Sequence, residues 1–185
     1  MRTLSKSLLD WYAESGRDLP WRVKGGAHPN PYVVLVSELM LQQTTVKTVI
    51  PYFERFMKRF PTIASLAAAT QEEVYTYWQG LGYYTRARSL HNTAKIIMSD
   101  FGGIFPHTRA DVLKLKGIGP YTVASFLALA FNAPETVVDG NVMRIICRLY
   151  HLTAPLDDIR AEISAKAESL TDKKHPADYA SAIMD

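Results

Sequence analysis

The stretch Leu113-Lys114-Leu115-Lys116-Gly117-Ile118-Gly119-Pro120-Tyr121-Thr122-Val123-Ala124 runs into an apolar segment ending at Phe131. Val137-Val138-Asp139-Gly140-Asn141-Val142-Met143-Arg144 follows it, and together they decide how this chain is read. Two short helices joined by Gly117-Ile118-Gly119 form a hairpin too tight for side chains at the glycines, because glycine adopts positive φ and lets a backbone or a phosphate come close. Pro120 suits the first position of the next helix, where its missing N–H is no loss. Amides at that helix start form an anion site, and an acid, Asp139, follows one helix later. A Gly-x-Gly alone would be a helical corner with a capping aspartate. The added Thr122, Ala124 and Asp139 make the string far more specific.

Working outward, period-two alternation is almost absent, and the expected fold is all-α. The expected helices run about Thr3 to Glu14, Pro31 to Leu41, from a cap at Thr44 or Thr45 to Phe60, after Pro61, from Thr70, Thr85 to Asp100, and from Thr108. Others run from Pro120 to Phe131, from Asp139 to Tyr150, over Asp157–Leu170 and over Pro176–Asp185. Leu4, Leu8, Trp11 and Tyr12 share one side of the first. Pro51 should bend or delay the third, and Thr70-x-x-Glu73 reads as a capping box. Gly16 to Pro31 is a long loop.

Composition sets bounds rather than an activity. The 185 residues are 48% hydrophobic, enough for a core, and the net charge of +3 with pI near 8.9 permits a polyanionic partner without requiring one. The single cysteine, Cys147, excludes an internal disulfide and points to a reducing compartment; it lies in a helical run and reads as a packing residue. No apolar run reaches membrane-span length and no signal-peptide pattern opens the chain, so a soluble, cytoplasmic protein is expected.

Glu38 sits between Val36 and Leu39. It is either on the wet face of an amphipathic helix or partly buried among apolar neighbours. Burial would raise its pKa, as a general acid working near neutrality requires.

The Gly117–Asp139 string resembles the helix-hairpin-helix of DNA glycosylases. Ser37-Glu38-Leu39-Met40-Leu41-Gln42-Gln43-Thr44, Gly80-Leu81-Gly82-Tyr83-Tyr84-x-Arg86-Ala87-Arg88 and Val138-Asp139-Gly140-Asn141-Val142 look like the MutY-type adenine glycosylases, over essentially the whole chain. The resemblance implies two lobes with a cleft between them. One is a central helical barrel over 20–131 holding the hairpin (about 108–131), and the other combines 1–19 with 132–185. It implies a monomer acting on double-stranded DNA that carries adenine opposite oxidised guanine or guanine. Glu38 then protonates adenine, Asp139 stabilises an oxocarbenium-like sugar, and Asn141 and Tyr121 hydrogen-bond beside Asp139. Endonuclease III-type relatives carry a Schiff-base lysine where this chain has Tyr121, so a monofunctional hydrolase is expected.

Because a duplex hides the bond to be broken, the base must be flipped out. The resemblance assigns Leu41, Gln42, Gln43 and Tyr83 to the region that fills the gap and Arg22 to the adenine. The Gly25-Gly26-Ala27-His28 insertion weakens the carry-over for Arg22, and Tyr83 could equally close a helix junction. Lys116, Gly117, Gly119 and Thr122 belong to the DNA-gripping hairpin. Arg86 and Arg88 fit phosphate contacts or a solvated helix face. Ser181 stands where the family often has Gln or Glu.

The family also implies four cysteines holding a 4Fe-4S cluster beyond Met184-Asp185. One cysteine cannot build that site, so no cofactor or metal ligand set is expected in this chain, and a fragment of a longer protein is the preferred reading. Two other functions fit less well. A thymine glycosylase acting on G/T mismatches could share Tyr121, but thymine has no N7 to protonate. A non-catalytic DNA-binding module would need neither Glu38 nor Asp139.

Overall fold

A computed structural model describes residues 4–23 and 29–185, which form eleven helices and no strand. Thr3 and the Gly25–His28 insertion lie outside the described residues. In chain order the helices are α1 (Leu4–Ser15), α2 (Pro31–Leu41), α3 (Val46–Arg59), α4 (Ile63–Ala68), α5 (Gln71–Trp78) and α6 (Tyr84–Asp100). There follow α7 (Arg109–Val112), α8 (Pro120–Phe131), α9 (Gly140–Tyr150), α10 (Leu156–Leu170) and α11 (Pro176–Met184). None is long and apolar enough to cross a membrane.

Helix starts are set locally. The Thr62 and Thr108 hydroxyls accept from Ser65 N–H at 3.1 Å and Asp111 N–H at 3.2 Å, satisfying amides that have no partner inside the helix. The Thr70 hydroxyl does the same for Glu73 N–H. The expected capping box there is only half formed, because the Glu73 carboxylate pairs with Arg59 instead. The reciprocal box is at Thr62/Ser65, where serine takes the place of the usual Glu or Gln. Pro51 does not interrupt α3, which runs through it with the proline exposed. On α1 only Tyr12 is buried, while Leu4 and Trp11 of the expected apolar side face out.

Two apolar cores stand apart. The larger draws on α2 to α8, with Phe56, Phe60, Trp78 and Phe126 fully enclosed. The smaller joins α9 to α10 through Val142, Ile146, Ile163 and Ala167; Cys147 packs against it as expected. A third small cluster, Ala128, Val137 and Ala180, seats α11 on α8, and α11 also packs on α1. α2 lies at the centre, against α3, α6 and α8, and is buried almost all round.

Candidate active site

Asn30 caps α2 by accepting from Tyr32 N–H at 2.8 Å, and Pro31 opens the helix. Because α2 is central, the Glu38 side chain is held among packed helices and is 9% exposed. Burial raises its pKa from 4.5 to about 7, and the like charge of Asp139 pushes the same way. The Ser125 hydroxyl and the Arg22 cation pull it down by less. Of the two alternatives open for Glu38, burial is the one realised.

Asp139 reaches the same place by a different route. It caps α9, its Oδ1 accepting from Val142 N–H at 2.7 Å and its Oδ2 from Asn141 Nδ2 at 3.1 Å. Asn141 is itself held by Arg144 at 2.5 Å. Asp139 therefore sits at the N-terminus of α9, ringed by N–H donors.

One cavity of about 310 Å³ takes in Glu38, Asp139, Tyr121, Asn141, Arg22 and Gln42. Leu41 and Ser181 also line it. Two acids from segments a hundred residues apart therefore share one enclosed space, one surrounded by apolar helix and the other by N–H donors.

Trp21, packed edge-on to Phe53 at 5.2 Å, anchors the loop that carries Arg22. Rather than ending free in the cavity, the Arg22 guanidinium pairs with Asp185 at 2.7 Å and donates to the Ser181 carbonyl at 3.4 Å. Arg17 also holds Asp185. Tyr121 corrects its expected role: its hydroxyl donates to Met184 Sδ at 3.8 Å and not to Asp139. Burial, Glu38 and Asp139 all hold its pKa above the usual phenol value.

The remaining expected site residues lie outside this cavity. Gln43 and Tyr83 are exposed, each with left-handed backbone at φ 56° and 50°, which costs a side chain-bearing residue roughly 1–2 kcal/mol. Lys116 is exposed, and its carbonyl accepts from Thr93 at 3.0 Å, tying the hairpin to α6. Gly117 has φ 74°, and a Cβ there would stand 2.4 Å from Ser89 Cβ. Gly119 is different: nothing lies within 4 Å of its Cβ position and its φ is −91°. The tight-turn reading holds for the first glycine only.

Two residues expected to face DNA are turned inward instead. Thr122 is buried and receives the Gln42 Nε2 donor at 3.3 Å, because α8 turns that position toward α2. Arg86 is 7% exposed, and its two Nη atoms donate mainly to backbone carbonyls, which takes it off the solvated helix face. Arg88 is exposed and donates to the Tyr75 hydroxyl at 3.2 Å.

Ser125 was not singled out from the sequence. Its hydroxyl is fully buried and makes no hydrogen bond of good geometry, yet it lies close enough to Glu38 and Tyr121 to lower the pKa of both. Its spacing of four from Tyr121 on one helix was the available signal. Among the described residues no group of three or more His, Cys, Asp or Glu could hold a metal ion, and the sole cysteine is packed on α9. The residues of this chain do not fit a four-cysteine cluster.

The architecture is all helical among the described residues, with a glycine hairpin and one cavity lined by two carboxylates in unlike surroundings. The family model for the HhH-GPD superfamily base excision DNA repair proteins matches residues 36–170, and the chain belongs to that superfamily. It is 41% identical over 181 residues to the adenine DNA glycosylase of Buchnera aphidicola subsp. Baizongia pistaciae, covering 97% of this chain and 50% of that protein. To the human adenine DNA glycosylase it is 40% identical, covering 97% of this chain and 34% of that one. The chain thus spans half or less of the length of these curated relatives. A solved thermostable thymine-DNA glycosylase superposes with a TM-score of 0.83 at 27% identity, covering 98% of this chain and 82% of that one.

Proposed function

We propose that this chain is the catalytic portion of an adenine DNA glycosylase. It hydrolyses the N-glycosidic bond of adenine opposite oxidised guanine or guanine in double-stranded DNA. The observation that carries the reading is Glu38, buried with its pKa raised to about 7, sharing one cavity with Asp139, the cap of α9. Adenine leaving as an anion is a poor leaving group. Protonation at N7 by Glu38 lets the C1′–N9 bond break with little negative charge on the base. The sugar becomes oxocarbenium-like, and the Asp139 carboxylate stabilises that cation until water adds. Burial among packed helices is what raises the Glu38 pKa and lets it hold the proton it must deliver.

The name shared by the relatives supports adenine as the base. Tyr121 in the cavity provides no amine to attack C1′, so the product is an intact strand with an abasic site. Gln43 and Tyr83 are exposed at two turns; Gln43 fills the gap left by the extruded base, and Tyr83 stacks beside the oxidised guanine, aromatic stacking being worth about 1–3 kcal/mol per base. Exposed Gly119 at the start of α8 receives a strand phosphate.

A thymine glycosylase is the second reading, favoured by the structural likeness at 27% identity. A duplex panel with adenine or thymine opposite guanine or oxidised guanine separates the two. Adenine release that is lost in both Glu38→Gln and Asp139→Asn supports the first, while thymine release, or adenine release indifferent to both substitutions, overturns it. Borohydride treatment during turnover should trap no covalent protein–DNA adduct.

A further inference from the structure

Arg86 is the most heavily engaged side chain of the described residues, and none of its hydrogen-bond acceptors is an acid. Nη1 donates to the carbonyls of Met40 at 2.8 Å, Leu39 at 3.3 Å and Gln42, and to the Thr44 hydroxyl at 3.1 Å. Nη2 donates to the carbonyls of Leu81 at 3.4 Å and Gly82 at 3.3 Å. Its Cζ lies over the rings of Trp78, 5.6 Å from the centroid, and Tyr83, 5.1 Å from the centroid. Burial lowers its pKa, as expected for a cation taken out of water. Burying a charge without a counter-charge is costly, so this arrangement is an expensive way to hold a fold together. What offsets the cost is the carbonyl-rich, negative end of α2 together with two aromatic faces.

The two sets of acceptors belong to different turns. One is the turn at the end of α2, three residues beyond Glu38, where Gln43 takes the left-handed position that glycine usually fills after a helix. The other is the turn before α6, where Tyr83 is also left-handed. These are the two exposed residues proposed above to enter the duplex. A left-handed glutamine and a left-handed tyrosine persist only if their surroundings impose the conformation, and a single guanidinium contacts both surroundings.

We propose that Arg86 is a positioning residue that locks the Gln42–Thr44 turn to the Leu81–Tyr83 turn, so that Gln43 and Tyr83 meet DNA as one rigid wedge. The inference rests on the adenine-extrusion reading for what the wedge does, but the link between the turns stands on the free protein. Rigidity of this kind matters because inserted side chains must displace a stacked base without first being ordered themselves. Arginine suits the role because its planar fork spans two carbonyl sets at once, which the single ammonium of lysine does not.

Amide hydrogen exchange on the free chain tests the link. Arg86→Gln should speed exchange about tenfold in both 39–44 and 81–84 while 156–170 on α10 is unchanged, the size expected when charge-assisted bonds are lost. Arg86→Lys should give the same pattern more weakly. Thr44→Val, which removes one acceptor from the first turn, should speed exchange in 81–84, where nothing has been altered. If Arg86→Gln does not fold, the other two variants carry the test. A response in one turn only, in all segments equally, or in none overturns the proposal.

The duplex arm places 2-aminopurine at the adenine position. Arg86→Gln should lower the emission rise on binding at least threefold, and should have no further effect once Gln43 and Tyr83 are both alanine. An equal loss in that background would mean general destabilisation and overturns the wedge. If the unaltered chain gives no emission rise, the extrusion reading and the wedge fall together, and exchange alone decides whether the turns are coupled.

Discussion

Ionising Glu38 inside the cavity works against folding, so Glu38→Gln should abolish catalysis and yet stabilise the protein at neutral and alkaline pH. Burial moves the carboxyl from 4.5 to about 7. Each pH unit of that interval is worth about 1.4 kcal/mol, so full ionisation costs about 3 kcal/mol. Below pH 4.5 the folded and unfolded chains both hold the proton and the contribution is complete. Between 4.5 and 7 the unfolded chain releases it while the folded chain keeps it, so stability falls as pH rises. Above 7 both are ionised and the loss is full. Glutamine does not titrate, and any fixed cost of seating its amide beside Ser125 cancels when two pH values are compared. Thermal unfolding of both proteins, followed by circular dichroism at pH 5 and pH 8, measures the difference. The midpoint gap should move in favour of the variant by roughly 5–10 °C, given about 2–4 °C per kcal/mol for a chain of this size. A gap that is the same at both pH values would refute the claim that Glu38 is held protonated by burial.

Adenine release by the unaltered chain should fall about tenfold per pH unit above pH 7, since only the protonated acid acts. Ser125→Ala should shift that fall to higher pH, because the lost hydroxyl holds the Glu38 pKa down; a single-turnover pH profile reads the shift, and a move to lower pH counts against it. Gly117→Ala should cost about 1–3 kcal/mol of stability in urea unfolding, from the left-handed backbone and the clash with Ser89 together. Gly119→Ala, with open space and ordinary φ, should change stability by under about 0.5 kcal/mol while weakening duplex binding in a titration. Equal stability losses at the two glycines would contradict the geometry.

What the chain determines without tertiary help is whatever neighbours within about four residues decide. Helix starts at Asn30, Thr62, Thr70, Thr108 and Asp139 are of this kind, because a capping oxygen and its amide are three residues apart or fewer. The glycine hairpin and the all-helical period are equally local. The family string carried the pairing of Glu38 with Asp139, which no local rule supplies.

Tertiary packing decided the rest. Residue type leaves Glu38 ambiguous, and the packing of α2 against α3, α6 and α8 decides it. By sequence Arg86 fits a solvated or phosphate-bound position, because its acceptors around residues 39–44 lie some forty-five residues away and are mostly backbone carbonyls that no residue type announces. Tyr121 found Met184, and Arg22 found Asp185, across separations of 63 and 163 residues. Local propensity is written in residue identity, whereas burial and the choice of partner arise only when distant segments close on one another and remove water from between them.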